Sequence, residues 1–142
     1  MNLTPVIDRL KSLLTGFKSI GSAVDLDAAM GGVVAVPAAF VMPLAESATA
    51  LDLLQQTSQR ITSLFGVVLC VSNKRDATGA ATLVDLVSLR NQLRNALVGW
   101  IPDPATAEPV HFAAGRLMRM DGDGRLWWLD EFELVTHYWS PL

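Results

Sequence analysis

Apolar positions near the start of the chain recur as Val6, Ile7, Leu10, Leu13, Leu14 and Phe17, a spacing that gathers them on one helical face. With Thr4 placed to cap and Pro5 at the first helical position, the pattern predicts a helix over 5–17. Gly16 and Gly21 then mark its end and a loop through Asp25 and Asp27. The strand formers Val33, Val34, Val36, Phe40 and Val41 predict a strand over 33–44, and Pro37 places part of it at a sheet edge. Over 46–56 Leu51, Leu53 and Leu54 fit a short helix, but the flanking Ser, Thr and Ala residues fit an exposed connection equally well, and the segment is expected to be a loop.

The strongest strand pattern covers 57–72. Ile61, Phe65, Val67, Leu69 and Val71 share one parity, and Leu64, Val68 and Cys70 fill the other over the second half. That half should be buried on both faces and the first half solvated on one. After a polar loop over 73–81, Thr82 and Asp85 have the spacing of a capping box, which predicts a second helix over 83–98. Its apolar stripe is Leu83, Leu86, Val87, Leu93 and Leu97, with Arg90, Asn91, Arg94 and Asn95 outside, and Gly99 and Pro102 end it. Pro102, Pro104 and Pro109 stiffen a linker over 101–109. Strands over 110–120 and 126–139 then flank Asp121-Gly122-Asp123-Gly124, a hairpin turn sequence. In the last strand the apolar parity switches near Asp130, which calls for a bulge or for two faces covered in different places. Two hairpins separated by a helix give an α+β fold, a largely antiparallel (mixed) sheet of about four strands with two helices on one face.

A length of 142 residues, 51% of them hydrophobic and 18% charged, suits one folded domain over 1–142 and excludes a disordered chain. Eleven basic against fourteen acidic residues, a net charge of −3, argue against a surface built to neutralise phosphates, so no sequence-specific nucleic-acid partner is expected. The single Cys70 lies in an apolar run and fits a buried thiol in a reducing cytoplasm. Asp8, Arg9 and Lys11 interrupt any signal-peptide pattern. The uncharged stretch 30–45 falls short of the ~20 residues of a membrane span and contains Pro37 and Pro43, so no membrane association is expected.

Few residue constellations suggest chemistry. Asp121, Asp123 and Gly124 begin like a calcium loop, but Arg125 and Phe132 occupy positions that need oxygen ligands, which leaves a hairpin turn. His111 and His137 lack partners at metal-ligand spacing. Ser72 and Ser88 sit in no nucleophile motif, Cys70 has apolar neighbours that raise a thiol pKa, and Gly31-Gly32 precedes a strand instead of following one. Asp130, Glu131 and Glu133 cluster in sequence, yet adjacent strand residues point to opposite faces, so a solvated or partner-facing edge is expected. No catalytic, cofactor-binding or metal-binding residue is assigned, and no cofactor is expected. Charge is uneven, however. Residues 121–133 carry five acids and one base, whereas 74–94 carry Lys74, Arg75, Arg90 and Arg94 against two acids. Opposite patches on one subunit suit head-to-tail contact between identical copies. The last hairpin is also rich in aromatic residues, with Trp127, Trp128, Phe132, Tyr138 and Trp139, which suit core packing with a remainder for an interface.

The segments FVMPLAESA (40–48), FGVVLCVSNKRDATGAA (65–81) with its following helix to Gly99-Trp100, and GRLMRMDGDGRLWWLDEFELVTHYW (115–139) resemble the tail terminator, or tail completion, proteins of long-tailed bacteriophages and prophages. The resemblance covers about 33–139. It implies a structural, non-enzymatic virion protein of the tail and neck, assembled in the host bacterial cytoplasm. Such a protein closes as a hexameric ring on the tail tube protein, stops tube growth and presents a surface to a head-completion (neck) protein. The family supplies no catalytic set to carry over. On charge grounds alone, Lys74, Arg75, Arg90, Arg94, Asp130, Glu131 and Glu133 are the candidates for subunit or partner contacts. The rival reading is a small ligand-binding or hydrolytic cytoplasmic domain with a pocket near Trp100, His111 and His137.

Overall fold

The computed structural model describes residues 1–53, 56–72, 80–121 and 124–140. Among them the element order is α1 (Thr4–Leu13), β1 (Ser19–Ser22), α2 (Ala23–Met30), β2 (Ala38–Leu53), β3 (Gln56–Ser72), α3 (Ala80–Leu97), β4 (His111–Asp121) and β5 (Arg125–Ser140). The strands form one five-stranded sheet in the order β1-β2-β3-β5-β4. Every pairing is antiparallel except β1 with β2, which is parallel. The α+β class and the two hairpins, β2-β3 and β4-β5, are as expected, and the sheet gains one strand and the fold one helix.

Side-chain alternation divides the core in two. On one face Ala39, Val41, Phe65, Val67, Leu69, Val71, Leu126 and Phe132 pack under α1 and α3, which contribute Val6, Leu10, Leu86, Leu89, Leu93 and Leu97. On the other, Ala38, Phe40, Val68, Cys70, Trp127 and Leu129 pack under Leu26 and Ala29 of α2. The expected pair of helices shares a face; the unexpected helix covers the reverse side. The stretch Phe65–Val71 is buried on both faces, as its double apolar parity predicts.

Several boundaries differ from the sequence reading. Helix α1 ends at Leu13, because Leu14 turns to an extended backbone (φ −102°, ψ 110°) and Phe17 reaches the same core from the following loop. The expected loop through Asp25 and Asp27 is β1 and α2. Helix α2 begins where the Asp25 carboxylate accepts from the Ser22 backbone N–H (2.8 Å) and hydroxyl (3.1 Å), a capping arrangement. The strand expected over 33–44 starts only at Ala38, after a cis Val36–Pro37 peptide. Pro37 therefore stands ahead of the strand, its carbonyl accepting from the Lys18 N–H (2.8 Å).

The segment expected as a loop over 46–56 instead carries β2 on to Leu53 in unbroken register with β3, from Ala45↔Leu64 to Leu53↔Gln56. Ladder hydrogen bonds to a long partner hold it extended although its own pattern is weak. Leu54 and Gln55 lie outside the described residues. Helix α3 starts at Ala80, so Thr82 is inside it and bonds the Ser72 carbonyl (3.4 Å) instead of capping. Among the described residues no helix is long and apolar enough to cross a membrane.

Candidate interaction surface

The β4-β5 hairpin organises two clusters that share one composition. On the α3 face, Asp130 is fully buried, and its carboxylate accepts from Arg90 Nε (3.1 Å to each oxygen), Arg90 Nη2 (2.9 Å) and Trp128 Nε1 (2.9 Å). The Arg90 guanidinium also lies over the Trp128 ring, 4.5 Å from its centroid. On the α2 face, Asp121 accepts from Arg125 Nε and Trp127 Nε1, both at 3.0 Å. Arg125 continues to the carbonyls of Ala29 (3.2 Å) and Gly32 (3.0 Å), so a cation closes the carbonyl end of α2. In each cluster an arginine and an indole N–H together satisfy a carboxylate that the sheet has removed from water.

These contacts change the meaning of the uneven charge. Arg90 and Asp130 neutralise each other within one molecule, and the solvated edge expected for Asp130 is a buried ion pair. Strand β5 keeps regular register across Asp130, so the parity switch reflects two faces covered in different places: Leu126, Trp128 and Phe132 lie with Asp130 towards α3, and Trp127 and Leu129 lie towards α2. Glu131 and Glu133 are half-buried on that second side, across the sheet from Arg90 and Arg94. Arg94 lies over Phe112, 5.2 Å from its centroid, and Phe112 meets Phe132 edge-on. Lys74 and Arg75 lie outside the described residues, as do Gly122 and Asp123 of the expected turn, which Gly124 completes at φ 74°.

Bulges in β4 shape the outer surface. Its register with β5 shifts between Phe112 and Ala114 and again between Leu117 and Arg119. The first shift puts both Phe112 and Gly115 on the α3 side, and the second does the same for Leu117 and Met120, residues that a regular strand would send to opposite faces. Leu117 and Met120, 49% and 59% exposed, thereby become one wall of a groove. Leu83 of α3, 57% exposed, forms the other, over a floor of Leu86, Leu126 and Trp128. The groove holds about 300 Å³. Val84 and Val87 extend its apolar surface along α3, so the expected stripe of that helix is split: Leu86, Leu93 and Leu97 are buried, while Leu83 and Val87 face out.

The three residues of the rival reading stand on separate elements, Trp100 after α3, His111 on β4 and His137 on β5. Trp100 packs at the edge of the α1-α3 core beneath Arg9 (4.8 Å), and His111 is exposed at the start of β4. His137 meets Glu108 (2.9 Å) and stacks on Trp139, tying the proline-rich linker to β5. The cleft between the cis-proline turn and α3, about 350 Å³, is lined by other residues, among them Pro37, Ser72, Asp85 and Ser88. Among the described residues no group of three or more His, Cys, Asp or Glu could hold a metal ion. Burial pushes the Cys70 thiol up to about 11, the setting of an inert core thiol.

The family model described as "Phage tail terminator protein" matches residues 1–139. No curated protein matches the chain. Among solved structures, a chain from "Virion of native gene transfer agent (GTA) particle" is similar at 14% identity, over 92% of this chain and 84% of that one, with a TM-score of 0.49.

Proposed function

The chain belongs to the phage tail terminator protein family, and from that premise we propose that this structural tail protein closes as a ring on the end of the tail tube. The ring stops addition of tube subunits and offers its outer face to the head-completion proteins of the neck, without a catalytic step. The family match over 1–139 is the observation that carries this reading. Both margins of the sheet support it, because neither the outer edge of β4 nor the outer edge of β2 beyond Val41 is covered by another strand among the described residues. Heterologous contacts between such margins close into a ring when the rotation between copies allows it. A hexamer is the expected stoichiometry. Arg94, Glu131 and Glu133 are proposed for subunit or partner contacts, with Lys74 and Arg75 beside them in sequence, whereas Arg90 and Asp130 serve inside the subunit.

Electron microscopy of induced cells lacking this protein tests the reading. Tails of irregular or excessive length without heads are expected; tails of normal length joined to heads would overturn it. A thermal-shift screen with metals and nucleotides addresses the rival ligand-binding reading, since a ligand that binds only the native state raises the melting midpoint.

A further inference from the structure

We infer that β1 of one copy pairs antiparallel with the outer edge of β4 of a second copy, so that the sheet runs on across the head-to-tail joint of the ring. This inference rests on the ring reading above and adds which strands meet and in what register. Strand β1 is four residues long and half-buried throughout, and among the described residues its strand partner is β2 alone. Strand β4 is the opposite margin, and between its two bulges Ala114–Leu117 is a regular, exposed stretch of matching length. Strand direction suits the joint. The steps from β2 to β3, β3 to β5 and β5 to β4 are each antiparallel, so β4 runs opposite to β2 and to its parallel neighbour β1. Copies in a ring face the same way, so β4 of the next copy arrives antiparallel to β1, with the α1-α3 layer and the α2 layer each kept on its own side.

The register already links the two margins. Arg116, Leu129, Val68, Phe40 and Gly21 stand in one row across all five strands, on the α2 side, and Leu117 and Ile20 end the next row, on the α3 side. A copy set beside the first without slip along the strands therefore brings Arg116 to Gly21 and Leu117 to Ile20 on matching faces. Charge fits there. A Cβ on Gly21 would lie 2.5 Å from Asp25 Oδ2, so the exposed Asp25 carboxylate sits directly over β1 on the α2 side. Its two bonds with Ser22 both use Oδ2 and leave Oδ1 for an incoming guanidinium. Arg116 is exposed and makes no ion pair among the described residues. A hollow of about 500 Å³ beside β1, lined by Ser19, Gly21 and Asp25, gives that side chain room, and Lys11, which lines it from α1, makes no ion pair with Asp25. On the other face Leu117, 49% exposed, meets Ile20, which already packs against the α1-α3 core. Two different margins that fit each other repeat from copy to copy, the arrangement that builds a ring and not a closed dimer.

Cross-linking with sedimentation tests the joint. Ser19→Cys and Arg119→Cys in one chain place thiols at the two ends of another row on the α2 side. Within one molecule they stand four strand spacings apart, about 19 Å, whereas across the joint they are neighbours. Native Cys70 is fully buried and stays out of reach. Treated with a short bis-maleimide, free in solution or on isolated tails, this variant should give a ladder of covalent multimers, and neither single-cysteine chain should. Arg116→Gln and Asp25→Asn, whose amide oxygen still accepts from Ser22, should each weaken association about fivefold, and together they should weaken it no further than either alone. A circular-dichroism melt confirms that each variant is folded. A ring mass with no ladder from the double-cysteine chain would overturn the strand joint and leave the ring reading intact, as would a cross-linked dimer from either single-cysteine chain. Losses that add in the double variant would overturn the register that sets Arg116 beside Asp25. No ring mass from the wild-type chain, in solution or on tails, would overturn both the joint and the ring.

Discussion

Gly115 of β4 stands directly over the Arg90–Asp130 pair. A Cβ there would lie 2.7 Å from both Arg90 Nη2 and Asp130 Oδ1 and 3.3 Å from the Trp128 ring. Gly115→Ala should therefore pry the pair apart and cost about 1–3 kcal/mol, as overpacking does in other cores, read as a lower denaturant midpoint at unchanged slope. Arg90→Ala should cost more, about 3–5 kcal/mol, because it leaves a buried carboxylate without its cation. Replacing both partners, Arg90→Met with Asp130→Leu, should recover most of that loss; a double variant no more stable than Arg90→Ala would show that the pair itself drives folding. Cys70 adds a pH dependence of predictable sign. Its thiol is raised from 9.0 to about 11 by burial, so the folded chain favours the neutral form. That contribution is complete below pH 9 and is lost as the pH rises towards 11, and Cys70→Ala should flatten this part of the stability–pH curve.

Among the elements, α2 shows where the sequence was legible and where it was not. The spacing Ser22-x-x-Asp25 matches Thr82-x-x-Asp85, yet the first starts a helix where a loop is expected and the second lies inside a helix already begun. A capping pattern reports a local preference, and the tertiary environment decides which copy is used. Helix α2 is short and buries only Leu26 and Ala29, so no long apolar stripe announces it. Its far end depends on Arg125, 93 residues beyond Gly32 in sequence, a partnership that no local reading can find. Long apolar runs fared better: β3, β5 and α3 were legible within a few residues because burial on both faces, or along a full helix face, leaves strong periodic patterns. The β4 bulges were invisible because they are defined against a partner strand. Arg125→Ala should release α2 while the sheet persists, seen as faster hydrogen exchange over Ala23–Met30 with little change in β3. Uniform loss of protection would show that α2 and the sheet unfold as one unit.

Across the whole molecule, the sheet is supported unevenly along its length. Near β1 it lies between two apolar layers: Phe65–Val71 of β3 is buried throughout, and Phe65 stacks on Phe132 at 5.5 Å. Towards the other end β2, β3 and β5 run on together, paired from Ala45↔Leu64 and Ser63↔Leu134 outwards, while residues 45–50 are all exposed. One polar link in this extension is Ser63 Oγ donating to Glu46 (2.9 Å), and Tyr138 and Trp139 of β5 are 54% and 45% exposed. Hydrogen bonds in the ladder are the same at both ends, but the buried apolar surface that makes opening costly is concentrated at the β1 end, with buried Val135 a single exception near the start of the extension. Amide exchange on the isolated chain should therefore divide β3 in two. Residues 65–71 should exchange only through global unfolding and follow its denaturant dependence, whereas 57–63 should exchange through partial opening, at least tenfold faster and with weaker denaturant dependence. Equal protection along the strand would mean that pairing alone stabilises the extension, without help from the two apolar layers.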